Sequence, residues 1–88
     1  AMALTAKKLR ELRQTPVGST GNRVARAIEL SEETQRSIAD TLGFTQSYLS
    51  NVARGQFGDI TVENAGKLAS HFGCLIEDLF PVRQAVAS

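Results

Sequence analysis

Between Leu42 and Thr45 the chain has only Gly43 and Phe44 in which to end one helix and begin another. Upstream, Ile38, Ala39 and Leu42 make the apolar stripe of a helix that starts after Thr34. Downstream, Leu49, Val52 and Ala53 make the apolar side of a second helix, from Gln46 to about Arg54, with Gly55 as its stop. Thr34 and Thr45 stand where a hydroxyl accepts a first-turn N–H. Gly43 stands where a helix commonly ends in a left-handed residue. So brief a connection forces the two axes to cross sharply, at about 90–120°. The small Ala39 permits close approach, and Ile38, Leu42, Leu49 and Val52 are expected to share a core.

The same punctuation organises the rest. A short helix is expected over Thr5–Gln14, capped by Thr5, with Leu4 and Leu9 spaced as a hydrophobic staple and Pro16 ending it. The segment 15–21 reads as a loop. A helix from about Asn22 to Leu30 turns Val24, Ala27 and Ile28 inward, and Ser31–Glu33 is a polar connection. After a loop over Gln56–Ile60, Thr61 caps a helix over Val62–Phe72 that Gly73 stops. A last turn, Ile76–Phe80, ends at Pro81, and the tail is expected to fray. No alternating strand pattern or solenoid repeat is present in the sequence. The expectation is an all-α chain divided into a basic N-terminal helix and linker (1–21), a main domain (22–80) and a C-terminal tail (81–88).

Length and composition narrow the function. Eighty-eight residues make one domain. No apolar run approaches the ~20 residues that span a bilayer, and the N-terminus has no secretory-type apolar stretch. The single Cys74 has no internal disulfide partner, which points to the cytoplasm. One His and one Cys make no credible metal site, and His71 is expected at the surface or edge. Neither a nucleophilic triad nor a glycine-rich phosphate loop is spaced for catalysis, so no enzyme and no cofactor are expected. Net charge is +1, but residues 1–21 carry Lys7, Lys8, Arg10 and Arg13 against Glu11, while residues 22–80 hold five basic against eight acidic side chains. The basic run is either a solvated face, a nucleic-acid backbone contact or, through Leu9 and Leu12, a partner contact.

The outward side of the second motif helix carries Gln46, Ser47, Ser50 and Asn51, all neutral and hydrogen-bonding. A surface helix selected for solubility alone would carry more Glu and Lys. Amides and hydroxyls both donate and accept, as reading base edges in a major groove requires. No acidic side chain falls between Gln46 and Arg54 to repel phosphate. The bland alternative is a solvated polar face.

Thr34-Gln35, Ile38-Ala39, Leu42-Gly43-Phe44-Thr45, Tyr48-Leu49-Ser50-Asn51 and Arg54-Gly55 follow one another in an order that resembles the phage repressor/Cro family. Thr61-Val62, Leu68-Ala69, Phe72-Gly73-Cys74 and Glu77-Asp78-Leu79-Phe80 continue the likeness to this XRE-type helix-turn-helix group over residues 22–80. The resemblance implies a compact five-helix repressor-like domain, here with an extra N-terminal helix. It implies base contacts from Gln46, Ser47, Ser50 and Asn51. It implies backbone phosphate contacts from Gln35, whose amide sits at a helix N-terminus, and from Arg54 and Gln56. Tyr48 either packs at the motif's edge or gives its hydroxyl to a phosphate, and Arg54 could instead pair with a carboxylate. The implied partner is double-stranded DNA, a palindromic operator bound by a homodimer, with repression as the output.

The sequence departs from the family pattern at residues 1–21, at the loop Gln56–Ile60, which lacks the usual Lys and Pro, and at Leu75, where a polar cap is usual. Leu75 and Ile76 are candidates for an apolar dimer contact. The second reading is a protein-binding module, an antitoxin or anti-repressor, favoured by the acidic balance of residues 22–80.

Overall fold

A computed structural model describes residues 3–18, 21–56 and 60–81. Six helices follow in order among them: α1 (Ala6–Gln14), α2 (Val24–Ser31), α3 (Gln35–Leu42), α4 (Gln46–Ala53), α5 (Val62–Phe72) and α6 (Ile76–Leu79). The expected all-α architecture is the observed one. The expectations for the middle of the Gln56–Ile60 loop, for residues 19 and 20 of the first loop and for the tail beyond Pro81 fall outside the described residues.

Four threonines start four of the helices. The hydroxyls of Thr5, Thr34, Thr45 and Thr61 accept from the backbone N–H of Lys8, Ser37, Tyr48 and Asn64 at 3.0–3.2 Å. Each satisfies one of the donors that a helix N-terminus otherwise leaves unmet. α2 is begun differently. Its cap residue, Arg23, makes no side-chain cap bond. Asn22 accepts from Val24 N–H at 3.0 Å instead, so the helix opens two residues after Asn22.

The helix stops are equally regular. Past α3, Gly43 adopts φ 78° and Phe44 N–H closes onto the Ala39 carbonyl at 2.9 Å. Past α5, Cys74 N–H closes onto Ala69 in the same way, at 2.9 Å. At the end of α4, Gln56 N–H bonds Asn51 O (2.9 Å) and Gly55 N–H bonds Val52 O (3.0 Å). This is the paired closure of a Schellman stop. α2 ends instead on Glu32, a left-handed non-glycine residue at φ 63°.

One hydrophobic core takes residues from all six helices. Leu12 of α1, Val24 and Ala27 of α2, Ile38 of α3, Leu49 of α4, Ala65 and Leu68 of α5 and Leu79 of α6 are each fully buried. Leu42 is only partly buried against this core rather than enclosed in it. α1 is integral. Leu4, just ahead of it, is buried and donates its backbone N–H to the Phe72 carbonyl at 2.9 Å. This N-terminal segment crosses the end of α5 so closely that a Cβ on Gly73 would meet the Ala3 Cβ at 2.5 Å.

Charged groups fasten the N-terminal elements to α6. Arg13 donates from Nε and Nη2 to the two oxygens of Asp78, at 3.0 and 3.2 Å. Arg23 bonds the carbonyls of Thr15 (2.7 Å) and Asp78 (3.1 Å), and its own N–H reaches Leu79 O at 2.8 Å. Asp78 also accepts from Leu75 N–H at 3.0 Å. That bond closes the start of α6, which Leu75 has no polar side chain to cap. Burial alone would push the Asp78 carboxyl up. The bonds from Arg13 and Leu75, with the charges of Arg13 and Arg23, outweigh it and hold the carboxyl below its ordinary value.

Candidate functional site

α3 and α4 meet across Gly43 and Phe44. The inward side of α4 is Leu49, Val52 and Ala53, all buried. That placement fixes what faces out: Gln46 and Ser47 are exposed, and Ser50 and Asn51 are half-buried. The four neutral polar side chains therefore share a helix that is anchored by its other side. Gln35 is half-buried in the first turn of α3, beside the Thr34 cap.

Two braces hold α4 in place, and neither is visible in the motif itself. Asn22 donates from Nδ2 to the Val52 carbonyl at 3.0 Å while its Oδ1 starts α2, so one side chain ties two helices. A Gly-Asn pair before an apolar stripe is a sequence signal for the cap, but the reach to Val52 across thirty residues has none. On the other side, Tyr48 lies half-buried, its ring 5.0 Å from that of Phe44. The Tyr48 hydroxyl accepts from Asn64 Nδ2 at 2.9 Å, linking α4 to α5. Lys67 adds its ammonium 5.7 Å from the centre of the Phe44 ring, within the range of a cation–π contact. The Tyr48 ring thus packs at the motif's edge, with its hydroxyl acting as acceptor toward Asn64.

Arg54 is exposed and donates from Nη2 to the Asn51 amide oxygen at 2.6 Å. Its observed partner is an amide one turn back, and among the described residues no carboxylate pairs with it. Gln56 is exposed, its backbone N–H spent on the α4 stop. Leu75 is 62% exposed, while Ile76 is partly buried against the core.

The remaining reactive side chains are paired, half-buried or exposed. His71, expected at the surface or edge, has a side chain only 4% exposed and lies 3.0 Å from Glu33, just ahead of α3. Its partner is 38 residues upstream, a distance at which sequence spacing says nothing. Burial, and then the Asp78 charge, push the half-buried Cys74 thiol up to about 11, so it stays protonated and a poor nucleophile at neutral pH. In the basic run, Lys8 pairs with Glu32 at 3.1 Å, while Lys7 and Arg10 are exposed. Among the described residues no group of three or more His, Cys, Asp or Glu is placed to hold a metal, and no helix is long and apolar enough to cross a membrane.

A family model described as helix-turn-helix matches residues 33–79, from the residue before the Thr34 cap to the last residue of α6. Comparisons with curated proteins and with solved structures gave no match. The matched span takes in α3 to α6 and leaves out α1, α2 and Asn22.

Proposed function

The chain belongs to the XRE-type helix-turn-helix family of DNA-binding regulators, and from that premise we propose that it is a sequence-specific repressor whose α4 reads the major groove. The observation that carries the reading is the two-sidedness of α4. Leu49, Val52 and Ala53 are sealed in the core, and Gln46, Ser47, Ser50 and Asn51 lie on the remaining surface with no ionised acid among them. Asn and Gln pair bidentately with adenine, and Ser meets either kind of base edge. Gln35 and Gln56 are assigned to backbone phosphates, which set register without selecting sequence.

A symmetric homodimer would place two such helices in successive major grooves, about 34 Å apart, on a palindromic operator. Leu75, exposed at the start of α6, is the stronger of the two candidates for the subunit contact, because Ile76 is already partly committed to the core. Occupation of a promoter then blocks transcription.

Selection of bound sites from a random duplex pool tests this reading. The expected product is a short palindrome. Asn51→Ala or Gln46→Ala should each cost about 1–3 kcal/mol on that site and relax preference at one position. Gln35→Ala should weaken all duplexes alike. A protein-binding role, as antitoxin or anti-repressor, is the second reading, and the exposed Leu75 favours it. A salt titration separates the two, since phosphate contacts give a steep fall in affinity with salt and a protein partner does not.

A further inference from the structure

Arg54 reaches back one turn to Asn51, and both ends of that contact are held by backbone. The Asn51 carbonyl receives Gln56 N–H at 2.9 Å, Arg54 N–H is bonded to Ser50 O at 3.1 Å, and Gly55 closes onto Val52 at 3.0 Å. The 2.6 Å bond from Arg54 Nη2 to Asn51 Oδ1 therefore spans two residues whose main chains are fixed by the helix stop. A guanidinium carries donors only, whereas an amide has an accepting oxygen on one side and a donating nitrogen on the other. Facing Arg54, the Asn51 amide has one acceptable sense: oxygen toward Arg54 and nitrogen away. The oxygen keeps a second lone pair for another donor.

We infer that Arg54 is a positioning residue for base recognition, fixing the sense in which Asn51 offers its donor and acceptor to a base edge. The inference rests on the reading of α4 as the base-reading helix and adds a specificity role to a residue otherwise assigned to phosphate. Adenine presents an acceptor at N7 and a donor at N6 in one order, so an amide set in one sense meets it without first being turned. Ordering a freely turning side chain on binding costs affinity for the right base, and Arg54 meets that cost in the free protein. The C-terminal turn of α4 thus acts as part of the reading surface, with the arginine setting the asparagine.

The test compares the wild-type chain with Asn51→Ala, Arg54→Ala and Arg54→Lys in duplex selection, salt titration and thermal melting. The Asn51 side-chain amide is followed by NMR in the DNA-free proteins. Arg54→Ala is expected to melt like the wild type, because Arg54 is exposed. It should reduce discrimination about three- to tenfold, the scale of one hydrogen bond. The loss should fall at the same operator position that Asn51→Ala relaxes. The Asn51 amide signals should become averaged in Arg54→Ala, and Arg54→Lys, which retains a donor, should recover part of both effects. If Asn51→Ala relaxes one position and Arg54→Ala leaves it intact, weakening all duplexes equally and lowering the salt slope by about one, Arg54 is a phosphate ligand and the inference falls alone. If the wild-type chain shows no base preference, the base-reading assignment falls and takes this inference with it.

Discussion

The α3–α4 pair and the α1–α6 junction are held together by opposite means. The first is local: sixteen of its nineteen residues lie in helices joined by Gly43, Phe44 and Thr45, and its seal is Ile38, Ala39, Leu49 and Val52. The second is remote and charged: Arg13 and Asp78 are 65 residues apart, with Arg23 joining them through backbone carbonyls. The surface proposed for binding is thus carried on an apolar mount, while the ionic fastening lies in the part of the chain that mostly falls before the family match. The lesson is that acid should loosen the two regions unequally, even though they share one core.

The largest test of that contrast asks whether the core is truly shared. Leu49→Ala and Leu12→Ala remove fully buried side chains from the two regions, and each should cost about 2–5 kcal/mol in urea unfolding. A cost below about 1 kcal/mol for Leu12→Ala alone would mean that α1 is only loosely attached. Leu42→Ala should fall below both, because Leu42 is only partly buried.

Next come two glycines with the same job. Gly43→Ala meets no neighbouring atom, so its cost is backbone strain at φ 78°, about 1 kcal/mol. Gly73→Ala adds a collision with Ala3 to a similar φ of 72° and should lose more, about 2 kcal/mol. Equal melting shifts for the two would show that the segment around Ala3 and Leu4 gives way freely.

A subtler contrast is in pH. The Asp78 carboxyl is held below its ordinary value, so its contribution is complete above the ordinary carboxylate range and is lost as pH falls through the lowered value. Asp78→Asn should therefore be less stable than the wild type at neutral pH, and the gap should close in acid. A gap that stays constant from pH 7 to pH 3 would contradict the ionic fastening. The smallest effect is expected at Glu32, where glycine would relieve the left-handed backbone but loosen the unfolded chain, for a net gain of about 0.5 kcal/mol in thermal melting.

What could be read from the sequence was whatever is decided within one turn. Thr5, Thr34, Thr45 and Thr61 cap helices because the partner N–H is always three residues on. Gly43 and Gly73 stop them because the backbone there must turn left-handed. The outward polar face of α4 follows from helical period once Leu49 and Val52 are taken as inward. The bracing was not legible. Asn22 on Val52, Asn64 on Tyr48, His71 against Glu33 and Arg13 on Asp78 each join residues 16 to 65 positions apart. Nothing in local spacing selects such partners. Arg54 on Asn51 is local, yet its sequence signal is shared with any i, i+3 polar pair.

The clasp between Leu4 and Phe72 bears on how the protein is handled. Trimming the chain to residues 33–79 would discard Leu4, Leu12, Val24 and Ala27 and leave their former neighbours wet. It would also strip the Asn22 strut from the back of α4. Fragments cut for crystallisation or fusion should therefore begin ahead of Ala3, which crosses closely over Gly73.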